Sequence, residues 1–233
     1  MGKEEEALIK QYAQISKKLK KIRLASPYSD DDNRKEVFGI LRGLAMYLHI
    51  TFNIMQAHDA YGLPPEYSEW IFGLTYQTEE EQDYWKNTFL RISKLAVTSQ
   101  LNFIIENFFK TLLKEIDKTK EPPSRYYTIM KELFSTAKIK NPNRKIKVFN
   151  TLAMIRNSFH NNGVHVPTRP ENNNITITIN KTKFKFRKGK HNGTPLKNLG
   201  ILFDKIIDYL EEIVNAPKIK KLSDPIPKLY IPS

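Results

Sequence analysis

The stretch from Phe89 to Ile116, FLRISKLAVTSQLNFIIENFFKTLLKEI, contains neither Gly nor Pro. Phe89, Ile92, Ala96, Ile104, Phe108, Leu112 and Ile116 keep the three- and four-residue spacing, or its multiples, that stacks side chains on one face of an α-helix. The tract free of both breakers extends from Glu79 to Lys120, so the spacing predicts a single long helix there. Thr78 and Glu81 fit a capping box at its start, in which each side chain satisfies a backbone donor at the other's position. Pro122 and Pro123 close it. A helix of this length is a spine, and the rest of the chain is expected to pack around it as further helices.

Towards the N-terminus, Leu8, Tyr12, Ile15, Leu19 and Ile22 mark an amphipathic helix from Lys3 to Leu24 with a Lys-rich outer face. Asp30, Asp31 and Asp32 follow, and acidic residues in a first helical turn complement the helix dipole more simply than they bind a metal. A second helix is expected from about Asn33 to Ala60 on Phe38, Leu41, Ala45, Leu48, Phe52 and Met55, stopped by Gly62, Pro64 and Pro65. A short helix around Glu66 to Leu74 completes this half.

Towards the C-terminus, a short helix from Tyr126 to Ala137 and a basic loop from Lys138 to Arg144 lead into a helix from about Lys145 to Asn161. Ile175, Ile177 and Ile179 then alternate with Thr, and Phe184 and Phe186 with Lys or Arg. Period two on both sides of Asn180-Lys181 predicts a β-hairpin. A last helix is expected from Pro195 to Val214 on Leu199, Leu202, Ile206, Tyr209 and Ile213, with an extended tail from Ala216. The fold class is therefore all-α, a helical bundle with a small inserted β-hairpin at 174–188. Residues 1–78 read as an N-terminal helical extension and 79–233 as the bundle.

Composition narrows the chemistry. The absence of Cys excludes a disulfide framework, a thiolate zinc site and a Cys nucleophile. His49 and His58 have no third ligand at metal spacing, so no metal site and no cofactor are expected. No P-loop, dinucleotide fingerprint or nucleophile elbow is present. No window is read as a bilayer span, and the cytoplasm is the expected compartment. The 38 Lys and Arg against 25 Asp and Glu give a formal net charge of +13, which suits a polyanionic partner or simply a Lys-rich, soluble surface. On the hairpin, Lys183, Lys185, Arg187 and Lys188 are candidates to hold RNA phosphates, although solvated lysines over two packed Phe give the same pattern.

One constellation is concentrated. Val148, Leu152, Ile155 and Phe159 form a narrow apolar stripe on the Lys145–Asn161 helix, and Arg156 and His160, four apart, lie side by side next to it. Asn157 and Asn161 form a second such pair. Gly163 is the expected left-handed stop, which puts His160 in the last turn. Glu106, on the spine, is placed to orient Arg156 or His160. A purely structural role, with these groups capping carbonyls or pairing with Glu106, fits the same spacing.

The cluster RNSFHNNG resembles the HEPN superfamily, whose members carry an Arg, commonly followed by a polar residue, and a His on one helix; here these are Arg156, Asn157 and His160. The resemblance covers roughly Glu79 to Val214. It implies a helical bundle that dimerises with its motif helices facing, and a metal-independent endoribonuclease of bacterial or archaeal toxin or antiviral systems. It also implies RNA as substrate, a homodimer, and an antitoxin or defence-complex partner. By the resemblance His160 is the general acid-base, Arg156 stabilises the phosphate, and Asn157 and Asn161 position it. The alternative is a non-catalytic nucleotide- or RNA-binding assembly module of the same family. Only three residues separate Arg156 from His160, fewer than is usual in that family.

Overall fold

A computed structural model describes residues 3–61, 78–167 and 173–227. In chain order the elements are α1 (Lys3–Ala25), α2 (Asn33–Tyr61), α3 (Glu79–Ile116), α4 (Tyr126–Thr136), α5 (Pro142–His160), β1 (Asn174–Ile179), β2 (Thr182–Arg187), α6 (Leu196–Val214) and α7 (Pro217–Lys220). The described residues are thus mostly helical, with one small antiparallel sheet among them. The short helix expected at Glu66 to Leu74 lies outside the described residues.

The spine forms as the spacing predicts, and one half of its capping box is made: the Glu81 N–H donates to Thr78 Oγ1 at 3.2 Å. It ends at Ile116 rather than Lys120. Asp117 takes the chain out of the helix because its carboxylate accepts from both the N–H and the hydroxyl of Thr119, a local bond that competes with the helical one. Helix α5 starts at Pro142, three residues before the expected Lys145, because Asn141 turns the chain in the left-handed region (φ 52°) and Pro opens a helix well. The tail is not simply extended either. Residues 217–220 form α7, whose Ile219 is buried, and Ile226 beyond it is buried as well.

One hydrophobic cluster runs from Leu8 to Ile226, so the helices read as an N-terminal extension share the core with the rest. At its centre Phe109 of α3 meets Phe149 of α5 edge-on at 5.1 Å and Phe134 of α4 at 5.7 Å, a favoured ring geometry. Helix α1 packs on α2 and α6. Gly200 allows the last approach, since a Cβ there would lie 2.5 Å from the Gln11 side chain. Lys18 bridges Asp204 and Asp208 at 2.7 and 2.6 Å across the α1–α6 seam. Burial works against its charge, but the two carboxylates outweigh it and hold Lys18 above the usual lysine range.

The hairpin pairs Ile177 with Phe184 and Ile175 with Phe186, so its apolar face joins the core while the Thr and Lys side chains face outward. Asn180 and Lys181 both take positive φ (47° and 65°), the conformation that lets a two-residue turn match strand twist.

The acidic run resolves into a specific job for Asp32. It caps α2 by accepting from the Arg34 N–H at 2.7 Å, and its two oxygens also take the Arg34 guanidinium at 2.9 and 2.6 Å. Both residues are fully buried. The tail completes the shell: Ile226 N–H donates to Asp32, and the carbonyls of Ile219 and Leu222 accept from Arg34. Burial pushes the Asp32 carboxyl up, yet the Arg34 fork and these amide bonds win and hold it below the usual range.

Among the described residues, Asn33–Met55 is long and apolar enough by composition to cross a membrane, which corrects the reading that no window is. Its Leu41, Ala45, Leu48 and Phe52 side lies in the core.

Removing Arg34 leaves a buried carboxylate without its partner, which costs about 3–5 kcal/mol. Arg34→Ala is therefore expected to lose that much in denaturant unfolding at pH 7; a loss below about 1 kcal/mol contradicts the assignment. Because the folded Asp32 titrates below its unfolded value of about 3.9, the pair's contribution is complete above that pH. In wild type it fades only as pH falls through the folded pKa, whereas in the variant burial without Arg34 raises the Asp32 pKa, so the gap between wild type and variant should narrow as pH is lowered from 7.

Candidate functional site

Helix α5 ends at His160, where the Asn161 N–H still reaches the carbonyls of Asn157 and Ser158 at 3.2 and 3.1 Å. The reversal takes two left-handed residues, Asn162 (φ 55°) and Gly163 (φ 84°). Residues beyond this turn meet the strand-like segment that leaves the hairpin. Asn192 N–H donates to Gly163 O at 2.7 Å, His165 N–H to Lys190 O at 3.0 Å, and Gly189 N–H to His165 O at 3.0 Å. His165 is buried against Phe186, ring centroids 5.4 Å apart. The Asn192 amide, also buried, donates to Ser158 Oγ at 3.4 Å and accepts from the Thr194 N–H and hydroxyl at 3.1 and 2.6 Å.

This stitch sets His191 directly against the end of α5. A Cβ on Gly163 would lie 2.6 Å from His191 Nδ1, so Gly is needed there for the ring's position as well as for the turn. Beside it, between α5 and the first half of α3, opens a cavity of about 650 Å³. Leu90, Leu95, Phe159 and Leu196 give it apolar walls, and Arg91, Lys94 and His191 supply cationic or titratable groups. Lys94 Nζ stands 5.5 Å from the Phe159 ring centroid, and burial holds its pKa below the ordinary lysine value. A second depression of about 280 Å³ adjoins it, lined by Lys183, Lys185, Arg187 and Lys190 and sharing His191 and Asn192 with the first. Among the described residues no carboxylate lines either one.

The sequence-derived residues divide. Arg156 is half-buried and His160 exposed on the strip of α5 next to Phe159, outside the cavity lining. The Arg156 guanidinium donates to Asn157 Oδ1 at 3.0 Å, and the Asn161 amide donates to Asn157 O at 2.9 Å. Glu106 is not brought to them: it pairs with Lys110 at 2.8 Å, and it stands about 18 Å of helix rise from Lys94, the level at which Phe159 crosses the spine. On the hairpin, Lys183, Lys185 and Arg187 line the second depression, whereas Lys188 is exposed beside it. Sequence reasoning missed His191, Arg91 and Lys94. The tract RKGKHNG (187–193), with its Gly-flanked His, carried a signal for the first; nothing local marked the other two. Among the described residues no three His, Asp or Glu gather as a metal site.

Comparison of the chain with known families, with curated proteins and with solved structures finds no match.

Gly163→Ala tests the packing at the helix end. Forcing a Cβ into a left-handed residue that also touches His191 is expected to cost about 1–3 kcal/mol and to move the His191 ring resonances in NMR spectra. Unchanged stability together with unmoved resonances contradicts the geometry.

Proposed function

We propose that the protein acts on RNA, cleaving it without a metal at the end of α5, with His160 and His191 as the acid-base pair and Arg156 on the phosphate. The observation that carries this reading is the continuous cationic track: two adjoining depressions share His191, present Lys183, Lys185, Arg187, Lys190, Arg91 and Lys94, and have no carboxylate among their described lining residues. A phosphodiester chain laid along it is held by counterion release, while Phe159 and the leucines offer an apolar surface for a base.

Cleavage needs a base to take the ribose 2′-hydroxyl proton and an acid to return one to the departing 5′-oxygen, as the 2′-oxygen bonds to phosphorus and the P–O5′ bond breaks. His160 is exposed in the last turn of α5, and His191 stands against Gly163, three residues farther on. The proposal requires these two imidazoles, from one chain, to flank one phosphate. The Arg156 fork suits the phosphate oxygens as negative charge builds on them.

A second reading, RNA binding without turnover, is favoured by two observations: the Arg156 guanidinium already engages Asn157, and Glu106 is paired with Lys110, so among the described residues no carboxylate is bonded to His160. The experiment that separates them incubates single-stranded RNA with wild type, Arg156→Ala, His160→Ala and His191→Ala in chelator. The proposal expects 2′,3′-cyclic phosphate ends, a rate loss of about 10²–10⁴-fold for either His variant, and about 10²–10³-fold for Arg156→Ala. RNA left equally intact by all four proteins removes the catalytic reading. Salt-sensitive RNA binding in that same outcome upholds the second.

A further inference from the structure

We infer that the outward face of α2, continued by α3 to the edge of the cavity beside α5, is where two copies of this chain associate. Met46, Tyr47, Ile50 and Ile54 lie along one side of α2 and are each more than a third exposed, Ile50 by 50%. From Gly43 to Ala57 the sequence holds no Lys, Arg, Asp or Glu, in a chain whose residues are 27% charged. Apolar side chains of a helix are normally covered, yet here only the Leu41–Phe52 side is in the core and the Met46–Ile54 side, which also carries exposed Asn53, is open.

The face continues onto the spine. Tyr47 Oη comes within 3.5 Å of Ser93 Oγ, and next to Ser93 stands Ile92, 57% exposed, which also borders the cavity beside α5. Phe103, three turns farther along at nearly the same azimuth, is also exposed. At roughly 200 Å² for a fully exposed large side chain, these six residues offer on the order of 500 Å² of apolar surface, near the upper limit for a monomer. A standard interface covers about 800 Å² per partner and is about 60% apolar, so its apolar share is the same size. The size fits a standard protein interface.

Charge selects the partner. A chain of net charge +13 repels its own copy over most of its surface, and least where the surface carries no charge. An uncharged apolar face is also complementary to itself, as a two-fold interface requires. Gly43, exposed and with open space where a Cβ would stand, lets the facing helix come close. The outward side of α5, by contrast, shows Lys147, Asn157 and His160, a poor surface for self-association.

The absence of cysteine makes the test direct. Sedimentation velocity at tens of micromolar is expected to give a dimer for wild type and a monomer for Ile50→Glu of nearly equal melting temperature. A short bis-maleimide should link Ile50→Cys into dimers and leave Asn157→Cys monomeric, a readout that stands even where Ile50→Glu fails to fold. A wild-type monomer across this range overturns the inference. So does preferential linking through Asn157→Cys, or a monomer that sediments with anionic vesicles. A monomer whose Ile50→Glu variant melts much lower also overturns it, by showing that the face is covered within a single chain.

Discussion

Three backbone hydrogen bonds between residues 163–165 and 189–192 hold the proposed functional end of this molecule together. Each is worth only about 1 kcal/mol net. Their effect is positional: they fasten the exit of α5 to the exit of the hairpin, and Asn192, bonded to Ser158 and Thr194, carries the same join to the start of α6. Without it the hairpin's cations, the cavity wall at Leu196 and the His191 ring would have no fixed relation to Arg156 and His160. Gly163 is the residue on which the join turns, since it supplies both the reversal and the room for the imidazole.

The rest of the fold keeps that end still. The Phe109, Phe134 and Phe149 rings lock α3, α4 and α5 to one another, and α6 is pressed onto them by α1. At the far end of the chain the side chains of the buried Asp32–Arg34 pair gather the start of α2 and the tail beyond α7 through five backbone polar atoms: the amides of Arg34 and Ile226 and the carbonyls of Ile219, Leu222 and Ser223. A buried charge pair of this kind is weak evidence of extra stability but demands a single arrangement, because any alternative strands a charge. That constraint holds the tail to one path.

Much of the fold was legible because its signals are local. The helical spacing of the spine, the period-two alternation around Asn180-Lys181 and the Gly stop after α5 each concern neighbours within a few residues. The errors are local contests decided the other way: Asp117 captured by Thr119, and Asn141 entering the left-handed region ahead of Pro142. The site was legible only in part. Arg156, Asn157 and His160 share one helix, so spacing alone set them side by side. Glu106 was misjudged because its relation to them depends on how far α5 slides along α3, which no single-helix pattern fixes. His191 reaches the site through a pairing 28 residues distant in sequence from Gly163, and Arg91 and Lys94 reach it through the crossing of two helices. Residues that meet by tertiary register leave no mark in the spacing of either element.

The proposed function therefore rests on His160 and His191 bordering one polyanion path. With only five histidines in the chain, their imidazole resonances can be assigned and followed during titration with a DNA oligonucleotide, which lacks the 2′-hydroxyl and cannot be cleaved. The account predicts that the signals of both residues move together and saturate at the same oligonucleotide concentration, while those of His49 stay in place. Movement of neither, or of one without the other, contradicts it.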